Sequence, residues 1–388
     1  MTNPPQFSFQ LIIATLTRLV INTAHRMIYP FLPEFSRGLG VAPEQLSLIL
    51  SVRGALGLTA PLFGALPDRV GRKRAMLIGV GVFCLGMALV GLIANYTIFF
   101  IAIILVTVSK FIFDPALQAY LSERTPYARR GLIIAFSELG WSGAALIGIP
   151  LMGVLIGLTT WRAPFFPLMG LGVLMGAALW VIFPHTASTA TTTPLNNGGQ
   201  LSALWRNPAI LGALGVGLLS SMANESLNSV YGLWMEDTFH LSIGALGFTT
   251  ITIGIAELAG EGLVMGFADR LGKRRAILIG LLASAAAYLT LPFMALFNLS
   301  FALAALFLVY IAFEFAIVTS IPLVTELLPS ARGLMMSTNV AFHGAGRMLG
   351  VMLGSWLFHY GFVWNSLAAM ALNVLALIIV IILVKEQK

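Results

Sequence analysis

Asp68-Arg69-Val70-Gly71-Arg72-Lys73-Arg74 and Asp269-Arg270-Leu271-Gly272-Lys273-Arg274-Arg275 are near-copies set 201 positions apart. Glycine holds the same place in both, with basic residues after it. The flanking sequence extends the echo. Glu123, Pro126, Ala128 and Arg129 return as Glu326, Pro329, Ala331 and Arg332 at an offset of 203. Asn22, Tyr29 and Glu34 return as Asn224, Tyr231 and Glu236 at 202, and Trp161 as Trp364 at 203. Several echoes in one register make the chain a tandem of two like halves.

Each copy stands between long apolar runs. The 388-residue chain is 58% hydrophobic and 10% charged, against about 25% charged in a soluble domain. Roughly 20 apolar residues cover the hydrocarbon of a bilayer. Runs of that size lie at 9–33, 45–66, 75–94, 97–121, 132–157 and 163–183. They recur at 209–235, 243–267, 276–297, 299–325, 334–358 and 362–384. The expected fold class is an all-α membrane protein, with twelve transmembrane helices in two six-helix bundles related by a pseudo-two-fold axis along the membrane normal. The bundles are expected at 1–183 and 209–388. The Thr-, Ser-, Asn- and Gly-rich stretch 184–208 reads as a cytoplasmic linker.

The net charge of +7 resides mainly in loops. Both motif copies, with Arg124, Arg129, Arg130, Arg206, Arg332, Lys385 and Lys388, fall in one set of loops, and the opposite set holds Arg37 and Arg162. By the positive-inside rule both termini are cytoplasmic, in a multi-pass protein of the cell (inner, plasma) membrane. No basic face is assembled for nucleic acid, which is not an expected partner. The single cysteine, Cys84, excludes an intramolecular disulfide and a multi-cysteine metal cluster. The first apolar run continues too far for a cleaved signal peptide, so helix 1 is expected to direct its own insertion.

Gly64-Ala65-Leu66-Pro67-Asp68-Arg69-Val70-Gly71-Arg72-Lys73-Arg74 resembles the loop 2–3 signature of the major facilitator superfamily. The second copy departs in carrying Met265 at the leading glycine, with Gly266 one residue later. The resemblance extends over nearly the whole chain and implies a transporter of that fold. It also implies a conformational latch made of Gly64, Asp68, Arg69, Gly71, Arg72, Glu123, Asp269, Arg270 and Gly272. In that latch Asp68 sits against the N-terminal end of helix 11, and Arg72 pairs with Glu123. A carboxylate at such a helix end is favoured by about 0.3–1 kcal/mol. On helix 5, Gly143, Gly148, Pro150, Gly153 and Gly157 resemble the Gly-Pro motif of the proton-coupled drug-efflux branch, with Ile149 interrupting it. Close helix packing through small residues is the other reading of those glycines. Lys110 lies near the place of a proton-transferring arginine in that branch.

Ionisable groups at the bilayer centre cost at least about 2.5–3.5 kcal/mol each and face a cavity or a partner. Arg18, Asn22 and Arg26 follow one helical stripe. They are expected either to touch substrate or, for Arg18, to pair with Asp114 or Glu138. Lys110 and Asp114 are neighbours one turn apart and can neutralise each other. Arg53 lies on helix 2. Glu257 and Glu261, also one turn apart, repel as two charges, which favours a proton on one of them. Arg347 is the alternative partner for those two acids or for Glu314. His343 suits either a hydrogen-bonded structural role or a proton relay. The proton-coupling candidates are therefore Asp114, Glu138, Glu225, Glu257, Glu261 and Glu314. The substrate-cavity candidates are Arg18, Asn22, Arg26, Lys110, Asn224, His343 and Arg347.

Bases predominate within the spans of the first half and acids within those of the second, which suits an amphipathic, cationic or zwitterionic solute. The expected function is proton-coupled antiport by alternating access, exporting such a solute. Proton-coupled uptake, or efflux of a metabolite, sugar or lipid, is the second reading, and a non-transporting membrane receptor the remote one. No HExxH, Ser-His-Asp-type or GxxxxGK[ST] pattern points to an enzyme, a catalytic metal or ATP use. The expected partners are a small-molecule substrate, protons and lipid. The expected chain is a monomer without cofactor or metal.

Overall fold

Both motif copies fold alike. Gly71 (φ +88°) and Gly272 (φ +82°) each stop a short helix and open a long one, in backbone conformations that a Cβ makes costly. The residue after each glycine finds an acid: Arg72 Nη2 lies 2.8 Å from Glu123 Oε1, and Lys273 pairs with Glu326. The next basic residue reaches the end of another helix. Lys73 Nζ donates to the Trp180 carbonyl at 2.5 Å, and Arg274 donates to the carbonyls of Val384 (2.7 Å) and Ile381 (3.1 Å). Carbonyls at a helix C-terminus lack intrahelical donors, so a basic side chain satisfies them. The sequence repeat is thus a repeat of contacts.

In the computed structural model the described residues are 5–64, 66–184, 204–328 and 332–384, and among them there are helices and no strand. The first half runs α1 (Pro5–Arg26), α2 (Leu32–Leu39), α3 (Pro43–Ala55), a 3-10 turn (Leu56–Thr59), α4 (Ala60–Gly64), α5 (Leu66–Val70), α6 (Arg72–Leu92), α7 (Tyr96–Arg124), α8 (Tyr127–Gly143), a π turn (Ala144–Gly148), α9 (Ile149–Leu158) and α10 (Phe165–Ile182). The second runs α11 (Pro208–Asn228), α12 (Tyr231–Phe239), α13 (Ile243–Leu263), a π turn (Val264–Ala268), α14 (Asp269–Leu271), α15 (Lys273–Ala295), α16 (Leu299–Leu327), α17 (Arg332–Phe358) and α18 (Phe362–Leu383). α2 and α12 correspond, and each ends on a left-handed residue, Gly40 (φ +65°) and His240 (φ +52°). The His240 N–H returns to the Glu236 carbonyl at 2.8 Å. The expected linker falls largely on 185–203, outside the described residues.

Among the described residues, ten stretches are helical, long and apolar enough to cross a membrane. The two expected spans outside that set are helical as well, for stated reasons. The run at 45–66 is divided by the 3-10 turn into α3 and α4, and 334–358 is one helix, α17, diluted by Ser337, Thr338, Asn339, His343 and Arg347. With them the expected twelve are complete. Burial follows apolarity in the reverse of a soluble protein. The α1 and α11–α12 windows are 72% buried, whereas those of α10 and α18, more apolar, are 22% and 28% buried. Helices that expose their apolar residues while the more polar ones are buried are stable only in lipid.

By packing, the chain forms two compact units. The first comprises 1–43, 61–192 and 241–254; the second comprises 44–60, 193–240 and 255–388. In the first, Phe35, Phe99, Trp161 and Phe165 interlock with ring centroids 5.2–6.3 Å apart. In the second, Leu214, Ile277, Leu281, Val324, Met335 and Val380 belong to one buried apolar core.

Each unit also holds a short stretch from the opposite sequence half, and glycine makes both fits possible. In the second unit, a Cβ on Gly54 would lie 2.6 Å from the Met348 nitrogen, and one on Gly57 would lie 2.7 Å from Gly344 Cα. In the first, a Cβ on Gly247 would lie 3.2 Å from Gly153 Cα. The first fit has a hydrogen bond beside it. The π turn sends the Ile149 N–H back to Ala144 O. In that register the donor for Ala145 O would be Pro150, which has no N–H. Thr250 Oγ1 supplies the bond at 2.9 Å.

Candidate functional site

The first unit gathers five charged side chains around α1. Gly140 of α8 permits this, since a Cβ there would meet Thr15 O at 2.8 Å and Arg18 Cβ at 3.0 Å. With α8 lying directly on α1, Arg18 Nη1 reaches Glu138 Oε1 at 2.7 Å and Ser137 O at 3.2 Å. Arg18 Nε lies 3.2 Å from Asp114 Oδ1 on α7. The other Asp114 oxygen accepts from Lys110 Nζ at 2.6 Å. Asn22 ties the three helices together: its amide donates to Gly140 O at 3.1 Å, and its oxygen accepts from Lys110 at 2.8 Å.

Of the two sequence alternatives for Arg18, the structure takes the ion pair, with both acids at once. The Lys110–Asp114 pairing is also present. Asp114 sits between two bases, one oxygen to each. Glu138, bonded to Arg18, is the more open carboxylate, its side chain 29% exposed against 17% for Asp114.

Arg26, the third member of the stripe, meets a residue the sequence reading missed. Its Nη1 donates to the Trp141 carbonyl at 3.0 Å, and its guanidinium carbon lies 4.3 Å from the Trp141 ring centre. Lys110 Nζ is 5.0 Å from the same ring. Two cations against one indole ring are favourable by roughly 0.5–2 kcal/mol each, more when water is excluded. Trp141 stands three residues after Glu138 and so shares its helix face, a spacing that could have been read.

In the second unit the candidates separate into three places. Asn224 and Glu225 are buried on α11, one turn from the half-buried Asn228. Asn228 Nδ2 donates to Asn224 Oδ1 at 2.8 Å and faces Glu225 Oε2 at 3.5 Å, while its own oxygen accepts from the Tyr310 hydroxyl. Arg53 of α3 lies 3.6 Å from Glu225 Oε1, both side chains buried. One turn earlier on α11, Ser221 Oγ is 2.6 Å from His343 Nδ1, the hydrogen-bonded arrangement that was one of its two readings.

Glu257, Glu261 and Glu314 form the third place. Gly260 lies between the first two in sequence, and a Cβ on it would meet Glu314 Cβ at 2.7 Å. Glu314 therefore joins the pair on α13, a juxtaposition that no local spacing encodes. Arg347 is exposed, and among the described residues it forms no ion pair with these acids.

Within the latch set, Arg72 contacts Asp68 one turn before it as well as Glu123. Arg69 and Arg270 are exposed, and Gly64 closes α4. The Asp269 side chain lies outside the described residues. The helix 5 glycines all serve close packing: Gly143 against Leu19, Gly148 against Thr23, Gly153 against Gly247 and Gly157 near Gly244. No group of three His, Cys, Asp or Glu among the described residues is arranged to hold a metal ion.

Comparison with known proteins fits this architecture. The family model described as Major Facilitator Superfamily matches residues 14–222 and 213–388. A Bacillus subtilis MFS-type transporter, YceJ, is 24% identical over 351 residues, covering 88% of each chain. Multidrug resistance protein 2 of the same organism is 21% identical over 350 residues, covering 87% of each. Among solved structures, a bacterial homologue of the human lysosomal transporter Spinster superposes with a TM-score of 0.77 at 14% identity, over 98% of this chain and 97% of that one. Family model, span pattern and fold agree: the chain belongs to the Major Facilitator Superfamily and is a multi-pass membrane transporter, not an enzyme.

Proposed function

We propose that the chain exports small amphipathic cationic or zwitterionic solutes in exchange for protons, by alternating access across the inner (plasma) membrane, as a monomer with both termini cytoplasmic. One observation carries this reading: the buried cluster in which Asp114 and Glu138 are shared among Arg18, Lys110 and Asn22 beside Trp141. Glu138, the more open acid, can trade its bond to Arg18 for a proton or a solute cation. Arg26 and Lys110, flanking the indole, offer the complementary charge to a zwitterion. The multidrug resistance relative supports an amphipathic cargo, and the basic loops support the orientation. In this reading Arg72, Asp68 and Glu123 act as the latch that times the movement.

Proteoliposomes carrying the protein, loaded acid inside and offered ethidium, are expected to accumulate the dye only while the pH gradient lasts. Glu138→Gln is expected to abolish that accumulation. Dye movement indifferent to the gradient, or no transported solute across a panel of lipophilic cations and zwitterions, would reject the reading.

A further inference from the structure

We propose that the second unit binds water in a closed polar pocket between α11 and α15, held by Ser220, Asn224, Ser284 and Tyr288. The pocket is independent of which solute or coupling ion is carried. The two helices face each other in register. They are separated in the chain by the single span of α13, so they run in the same direction. Ala213, Ser220, Asn224 and Leu227 recur at helical spacing on one face of α11. Ile277, Ser284, Tyr288 and Leu291 recur at the same intervals on α15, each 64 positions on. Contacts fix this facing at two levels: Ala213 shares a buried apolar core with Ile277, and the Tyr288 hydroxyl stands beside the Asn224 side chain. Ser220 and Ser284 fall between those levels, one turn before Asn224 and Tyr288 on their own helices.

The polar atoms of this face lack protein partners. The Ser220, Ser284 and Tyr288 hydroxyls and the Asn224 amide nitrogen are buried, and none reaches a partner in hydrogen-bond geometry. The three hydroxyl residues are 1% exposed and Asn224 7%. A serine inside a helix can bond back to a carbonyl of the preceding turn, as Ser226 does to Ala223 and Ser320 to Ile317; Ser220 and Ser284 do not. Asn224 uses its oxygen on Asn228, which leaves its nitrogen for the pocket. Buried polar groups are bonded to protein or to ordered water, and four in one place suit water, which donates and accepts.

Both ends are apolar. Leu227 and Leu291 lie beyond one end, and Ala213, Ile277 and Leu281 beyond the other, all buried. Four residues of helix rise about 6 Å, a length that about two water molecules bridge at roughly 2.8 Å per link. The Glu225 carboxylate near Tyr288 disfavours an anion there, and the Asn224 nitrogen, a donor only, disfavours a metal cation. The first half has no such pocket. In the register that pairs Gly79 with Gly280, Ser284 and Tyr288 take the places of Phe83 and Met87, both buried and apolar. Asn22, the counterpart of Asn224, spends its amide on Gly140 O.

The test is radiolytic footprinting of the full chain in detergent, in which a short X-ray pulse makes hydroxyl radicals from water bound in place. Tyr120, equally buried but bonded to Gln10, is the dry control, and the exposed Tyr360 the wet one. Tyr288 is expected to be oxidised several-fold faster than Tyr120. Ser284→Val, which fills the serine side of the pocket, is expected to slow Tyr288 oxidation and leave Tyr120 and Tyr360 as they were. Tyr288→Phe is expected to lower Tm, because it strips a partner from bound water; removing a hydroxyl that had none would leave Tm unchanged or raise it. Tyr288 oxidised no faster than Tyr120, Tyr288 oxidation unaltered in folded Ser284→Val, or an unchanged or raised Tm in Tyr288→Phe each overturns the proposal.

Discussion

Residues 44–60 and 241–254 are the two stretches that pack with the compact unit built mainly from the other sequence half. Both are laid on their neighbours through glycine, Gly54 and Gly57 in one and Gly247 in the other. They differ in what secures them. The first carries a buried charge, Arg53, opposite Glu225. The second has no ionisable residue between Leu241 and Gly254, and a single hydroxyl, Thr250, fills the gap that Pro150 leaves at Ala145. A charge pair weakens when either charge is removed; a hydroxyl on a carbonyl and a glycine contact have no charge to lose. Two joints alike in steric design thus differ in what can release them.

That contrast can be broken by substitution, and the charged joint should break hardest. Arg53→Ala leaves Glu225 buried beside no guanidinium and is expected to cost about 3–5 kcal/mol, seen as a large loss of Tm in detergent. Arg53→Ala with Glu225→Ala together should cost less than the sum of the two singles; strict additivity would mean that the pair is not coupled. Next come the glycines. Gly57→Leu and Gly247→Leu force a side chain into backbone and are each expected to cost about 1–3 kcal/mol or more. Because the steric design is shared, their effects on unfolding should be similar; indifference at either site would remove the likeness.

Thr250→Val tests the uncharged joint. It leaves a buried carbonyl without a donor, an expected cost of about 1–3 kcal/mol. Thr250→Ser should recover most of it, and the loss measured by thermal unfolding should be the same at low and high salt. The smallest change belongs to His359→Gln, which removes an exposed partner from Glu44. Under about 1 kcal/mol is expected there, and a larger drop in Tm would mean that the start of the 44–60 stretch, not Arg53, is what fastens it.

Much of the fold was readable from residues alone. Apolar runs of membrane length and a doubled glycine turn are local patterns, and both survive folding because lipid and backbone geometry impose them directly. Of the two expected spans outside the ten apolar stretches, the one around Arg53 is interrupted by the 3-10 turn at Leu56–Thr59, and the one around Arg347 is diluted by polar residues. The site was legible in part. The Arg18 stripe and the Lys110–Asp114 spacing follow from the helical period, and Asp114 and Glu138 were already the acids considered for Arg18. Arg53 with Glu225, and Glu314 with the α13 acids, were not legible. Those partners are far apart along the chain, and only tertiary packing, through Gly54 or Gly260, brings them together.

His240 has a consequence of another kind. Gly40 marks the end of α2 with the residue best suited to a left-handed bend, and at the matching end of α12 a histidine takes the same bend. A shape that outlasts the residue most comfortable in it is being held by its surroundings. In a molecule made of two like halves, the same bend can thus be kept by a pliant residue in one copy and by a braced one in the other.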